Sequence, residues 1–246
     1  MKLVHDATAS ASPNWDVGSA SLLWTEGTTV HRLHPGSGTH AETVVPQPVG
    51  AALPRTNGGL IVNLRDGIGL RDVDDRLTWL VYWHRDGTEP GPAAIDPAGN
   101  LWAATGDQLI RVRPDGRATV VLKDVTITGL AAVLLDDVTA RQRLHIATSH
   151  GVDVFDPDTG DRTPLCTAPA ASVCVDAEGC AWIAVPDANE IRRVTPTGDL
   201  DRVLTVPAPT GCCFGGPDFT DLYVTAGSVF VAPGIGTGAP TARFPA

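Results

Sequence analysis

One nine-residue pattern occurs twice in this chain. Asp96-Pro-Ala-Gly-Asn-Leu-Trp-Ala-Ala104 returns as Asp176-Ala-Glu-Gly-Cys-Ala-Trp-Ile-Ala184. Each copy reads as a strand end, a glycine-containing turn and a new strand carrying Trp102 or Trp182. A second motif follows. Leu109–Arg113 runs into Pro-Asp-Gly-Arg, Ile191–Val194 into Thr-Pro-Thr-Gly-Asp, Val152–Phe155 into Asp-Pro-Asp-Thr-Gly, and Val30–His34 into Pro-Gly-Ser-Gly. The spelling is turn chemistry: Pro presets φ, Asp hydrogen-bonds its own backbone, and Gly takes φ > 0.

Laid end to end, the repeats divide the chain into units at roughly 10–45, 48–83, 89–122, 126–166, 169–207 and 210–246, about 41 residues each. Four short strands at that period predict a propeller blade. No segment sustains a period of 3.6, whereas Thr119–Leu122 and Leu222–Thr225 alternate. The expected fold is therefore all-β, one domain over residues 1–246: a six-bladed β-propeller. Leu3-Val4-His5 lies outside the first unit and is expected to supply the outer strand of the last blade. That closes the ring and leaves no free edge. In such a ring the residues opening each blade's first strand, and the loops joining second to third strands, surround one mouth of the axial channel.

Composition narrows the function. With 18 Lys+Arg against 28 Asp+Glu, the net charge is −10. An acidic chain is a poor match for phosphate backbones or anionic membranes. At 43% hydrophobic and 19% charged it is not a disordered sequence. The longest apolar runs, such as Ala131–Leu135, fall far short of the ~18 residues a membrane span needs. Five cysteines without a CxxC pair (Cys166, Cys174, Cys180, Cys212, Cys213) indicate neither a zinc framework nor disulfides. The expectation is a cytoplasmic monomer with free thiols and a small-molecule substrate.

The runs Asn63–Leu70, Ala94–Thr105, Val173–Gly179 and Thr210-Gly-Cys-Cys-Phe-Gly-Gly-Pro-Asp218 with Leu222–Thr225 resemble the senescence marker protein / gluconolactonase / luciferin-regenerating family, to which regucalcin-type sugar lactonases belong. The resemblance implies a divalent cation on the channel axis. Its ligands would be a Glu in a Glu-Gly-Pro segment, an Asn in Asn-Gly-Leu and an Asp in Pro-Asp-Gly, with an Asn-Asp pair shaping the site. Here those positions read Ala11, Thr128 and Ala171, and Glu89-Pro-Gly91-Pro92 replaces the segment with the pair. Hard cations are held by several oxygens, with carboxylates setting affinity. The resemblance thus implies a member that has lost its metal ligands; no metal and no cofactor is expected.

What remains is a mouth suited to a more hydrophobic molecule. Glu89, opening the third unit, and His150, in a loop of the fourth, are the candidate acid and base for lactone or ester opening, or for the related cyclisation or isomerisation. Ser12, Arg65, Trp83, His84, Thr128, Ser172 and Cys212 are the candidate substrate-binding residues. Two alternatives stay open: a catalytically silent binding protein, and a metal lactonase whose ligands come from Glu26, Asp66 or Asp107.

Overall fold

The computed structural model describes residues 1–83, 88–136, 141–239 and 241–245. Among the described residues the regular structure is β, apart from a single 3-10 turn at Pro186–Ala188. The described residues form twenty-two strands, paired antiparallel within each sheet. Four groups of four form separate sheets: β5 (Val49–Pro54), β6 (Leu60–Leu64), β7 (Gly67–Arg71) and β8 (Leu77–Tyr82); β9 (Pro90–Ile95), β10 (Leu101–Thr105), β11 (Gln108–Val112) and β12 (Ala118–Leu122); β13 (Gly129–Asp136), β14 (Arg141–Thr148), β15 (Gly151–Phe155) and β16 (Arg162–Cys166); β17 (Ser172–Val175), β18 (Ala181–Val185), β19 (Glu190–Val194) and β20 (Leu200–Thr205).

The remaining strands share one long element. β1 (Lys2–Asp16) pairs through Lys2–Ser10 with β22 (Asp221–Ala232), which pairs with β21 (Gly211–Gly215). From Ala11 on, β1 pairs instead with β2 (Ser21–Glu26), followed by β3 (Thr29–His34) and β4 (Thr39–Val44). The change of partner coincides with a register shift between Ala11 and Asn14 and with a positive φ of 48° at Ser12. A bulge of this kind lets one strand serve two sheets.

The first strands touch in sequence: β1 to β5, β5 to β9, β9 to β13, β13 to β17, β17 to β21, and β21 back to β1. The apolar core is divided accordingly. Leu23, Val30, Val49 and Val62 pack between the first and second groups; Leu53, Ile61, Leu101 and Ile110 between the second and third. The series continues round to Trp15, Trp24, Cys213 and Tyr223, which join the last group to the first. Second strands such as Leu60–Leu64 and Ala181–Val185 are buried on both faces. That is why they do not alternate: Ala181–Val185 is apolar throughout, and Leu60–Leu64 is interrupted only by Asn63.

The repeated motif is a lock. Asp96 Oδ2 accepts from Trp102 Nε1 at 2.8 Å, and Asp176 Oδ2 from Trp182 Nε1 at 2.9 Å. Each Asp also caps its own turn: Asp96 Oδ1 accepts from Asn100 N, and Asp176 Oδ1 from Cys180 N. Gly99 and Gly179 take φ of +82° and +79°. Both indoles are almost fully buried, so Asp satisfies the one polar atom each would otherwise carry into the core.

The chain after β22 does not add a strand to the last sheet. Gly234 turns it away at φ 63°, and residues 233–239 and 241–245 cross one end of the ring. Ala177 N donates to Thr237 O, Ala239 N to Val175 O, and Phe244 N to Pro54 O. Phe244 is fully buried among Leu53, Ile61 and Ile95. The strap thus ties the fifth group to the second.

Candidate functional site

A cavity of about 370 Å³ lies between the six first strands, each of which contributes to its wall. β1 supplies Ser12 and Asn14, β5 Ala51 and Leu53, and β9 Pro92 and Ala94. β13 supplies Leu130 and Ala132, β17 Ser172 and Cys174, and β21 Cys212 and Phe214. Thr128, Ala171 and Thr210, each just before a first strand, stand at one end; Ala239, Thr241 and Ala242 of the strap line it as well. The strap bonds to Val175, the last residue of β17. The cavity therefore has a mouth where the first strands begin and a floor where they finish.

Among the described residues, none lining this cavity is Asp, Glu, His, Lys or Arg. Its oxygens are neutral, and several are committed. Ser12 Oγ donates to Gly50 O at 2.6 Å, Thr128 Oγ1 to Ala170 O, and Thr210 Oγ1 to Ser10 O at 2.7 Å. Asn14 lines the cavity, and its Oδ1 is buried without a hydrogen-bond partner. Two of the cavity thiols, Cys174 and Cys213, are held away from the nucleophilic thiolate form. A hydrogen bond to Cys212 (Sγ–Sγ 3.6 Å) and burial push Cys174 well above the ordinary thiol range, and burial does the same to Cys213.

The sequence candidates fall into three sets. Ser12, Thr128, Ser172 and Cys212 line the cavity. Glu89 and His150 are exposed and do not line it. Glu89 immediately precedes β9, and its carbonyl accepts from Gly106 N at 3.0 Å. His150 lies in the turn after β14, its Nδ1 3.2 Å from Ser149 Oγ. Ala147, near the end of β14, pairs with Gly129 at the start of β13; both residues therefore sit at the mouth end of the ring. Arg65 and Trp83 stand apart from the cavity: Arg65 Nε lies 3.5 Å from Asp66 Oδ1, and Trp83 Nε1 donates to Arg65 O. His84 lies outside the described residues.

The alternative ligands are also elsewhere. Asp66 accepts from Gln47 Nε2 at 2.6 Å, Glu26 faces Thr8 and His31, and neither these nor Asp107 reaches the cavity wall. The wall residues do not fit a hard divalent cation, because no carboxylate is present to hold it. Sequence reasoning missed Asn14 and the strap. A larger hollow of about 840 Å³ lies on the strap's other side, bordered by His145, Asp176 and Glu178. Its carboxylates are engaged: Asp176 and Glu178 both bind Arg193, at 2.8 and 2.6 Å.

An all-β ring of antiparallel groups around an axial cavity defines the class of protein. Residues 9–128 and 169–228 match the family described as SMP-30/Gluconolactonase/LRE-like region, and the chain belongs to that family. It is 30% identical over 238 residues to 6-deoxy-6-sulfogluconolactonase of Pseudomonas putida, spanning 87% of this chain and 81% of that one. Regucalcin of Gallus gallus is 29% identical over 251 residues, spanning 88% and 82%. A solved luciferin-regenerating enzyme superposes with a TM-score of 0.86 at 20% identity, over 98% of this chain and 97% of that one. The last likeness establishes a common fold.

Proposed function

We propose that this chain is a six-bladed propeller, closed by the N-terminal strand, that processes a neutral, fairly hydrophobic small molecule in its axial cavity without a divalent metal there. The closed cycle of first strands and the core between last and first groups support the ring. The function rests on one observation: among the described residues, the wall contributed by all six first strands carries no charged side chain. A sugar lactone offers hydroxyls that need many polar partners, whereas this wall offers Ala, Leu, Pro and Phe with a few fixed hydroxyls. A volume of about 370 Å³ sits in the lower range for small-ligand pockets.

Lactone or ester opening, or the related ring closure, is the reaction class that family membership favours. Its proton transfers fall to the rim, where Glu89 and His150 stand at the mouth end. A second reading, binding without turnover, is favoured by the exposure of both side chains. The acidic surface and free thiols support a cytoplasmic monomer without a nucleic-acid partner.

The test compares alkyl-substituted lactones with gluconolactone, with and without EDTA. The expected result is turnover of an alkyl lactone that EDTA leaves unchanged and that Ala171→Phe, which fills the cavity, lowers by about tenfold or more. EDTA-sensitive hydrolysis of gluconolactone that survives Ala171→Phe would overturn the proposal. Saturable binding of alkyl lactones with no turnover would select the second reading.

A further inference from the structure

We propose that His31, His40 and Glu42 form a binding site for a divalent cation of the zinc class, on the first group of strands and separate from the axial cavity. The register builds it. Trp24 on β2 pairs with His31 on β3, and His31 pairs with Glu42 on β4. His40 pairs with Leu33, two residues along, which puts it diagonally beside His31 on the same face. His31 Nδ1 lies 3.1 Å from His40 Nε2 and 3.8 Å from Glu42 Oε1, and the three ligand atoms all lie within 4.8 Å of one another.

These separations suit one metal. A tetrahedral ion with ligands at ~2.0–2.1 Å holds neighbouring donor atoms about 3.4 Å apart, between the two distances observed. Two imidazoles and one carboxylate select zinc, cobalt, nickel or copper over calcium and magnesium, whose ligands are oxygens. Three protein ligands leave a fourth position for water or for His5, whose ring centre lies 4.2 Å from that of His40.

The surroundings are those of a built site. His31 is buried, and its other nitrogen, Nε2, lies 3.8 Å from Glu26 Oε2. At that distance the carboxylate is an ion-pair partner, not a hydrogen-bond acceptor, and its charge favours a cation on the His31 side. Glu26 is held in turn by the Thr8 hydroxyl. Trp24 stacks on His31 with ring centres 4.9 Å apart and planes 5° apart, so the ring cannot swing away. Glu42 is exposed and gives the ion a path in. Because Thr8 and His5 belong to the half of β1 that pairs with β22, a bound ion would clamp that half to β3 and β4.

Trp24 supplies the assay. The untagged full chain is titrated with Co²⁺ near neutral pH, following Trp emission and the visible Co²⁺ band, with Trp24→Phe as the optical reference. The expected result is quenching that saturates at one equivalent, is absent in Trp24→Phe, and is reversed by Zn²⁺. His40→Gln and Glu42→Gln each weaken binding by roughly tenfold or more, with unchanged circular dichroism. Quenching that rises without saturation, or affinity within about twofold of the parent in His40→Gln, overturns the proposal. His40→Gln also removes this site from any test of the axial cavity, so the two readings fail separately.

Discussion

Truncating one side chain, Phe244→Ala, tests whether the strap is part of the fold. Phe244 has no exposed surface and packs with Leu53, Ile61, Ile95 and Leu101, at the joint of the second and third groups. Its backbone bonds to Pro54 O (3.0 Å) and from Thr56 N (2.9 Å) do not involve the side chain and survive the change. The loss is thus burial plus cavity, about 3–5 kcal/mol for a buried Phe. In a chain of this size each kcal/mol moves the melting temperature by about 2–4 °C, so the midpoint should fall by about 10 °C in calorimetry. The same variant loosens Thr241 and Ala242, which floor the axial cavity, so affinity for a cavity ligand should fall too. A midpoint within about 2 °C of the parent would refute the docking of residues 241–245 and, with it, the floored cavity.

Three further outcomes are expected. Burial holds His145 down at about 4 from an ordinary 6.5, with Nδ1 unpartnered. Its contribution is therefore intact above pH 6.5 and is lost as pH falls toward 4, about 3 kcal/mol in all; His145→Leu should flatten that part of the denaturant-midpoint profile. Restoring the family's ligands as Ala11→Glu, Thr128→Asn and Ala171→Asp together should create Ca²⁺ binding visible by calorimetry, and no heat in the triple variant would dismiss the axial alignment. Glu89→Gln and His150→Ala should each lower turnover of a cavity substrate by about 10²–10⁴-fold with an unchanged melting point; full activity in both would remove them from the mechanism.

The fold was legible where local chemistry decides it. Asp96, Gly99 and Trp102 announce a turn and the strand that follows, because each carries its reason within a few residues. The paired Asp–indole bonds give that spelling its physical content. What stayed hidden depends on tertiary direction. Sequence order puts Glu89 and His150 at one end of the ring, but not which way their side chains turn. The bulge around Ser12 shifts the register by Asn14 and so changes which side chain faces the axis, since a single-residue slip reverses every face. Residues 233–245 carry glycine and proline, which signal a break in the strand and not where the chain goes next. The His31–His40–Glu42 cluster was accessible in principle: a short turn at residues 35–38 fixes the pairing that sets His40 diagonally beside His31.

The absence of charge from the axial wall follows a physical logic of its own. Ala11, Thr128 and Ala171 lie at the mouth, whereas the ring is held by the cores between groups, by the buried second strands and by the Asp96 and Asp176 locks. Changing the axial positions costs the fold little. Carboxylates there are best tolerated with a cation to neutralise them, because an unpaired charge against a largely apolar wall is unfavourable. Once the ion is gone, each remaining carboxylate becomes a liability, so the ligands are expected to be lost as a set rather than singly. Neutral residues at positions 11, 128 and 171, with Gly91 and Pro92 beside them, fit that expectation. The same reasoning separates the two sites. His31, His40 and Glu42 need no metal to be tolerated, since the imidazoles hydrogen-bond each other and stack on Trp24, and Glu42 reaches water. A cation there adds cross-linking to an arrangement already stable without it, whereas the described axial wall offers no carboxylate to hold one.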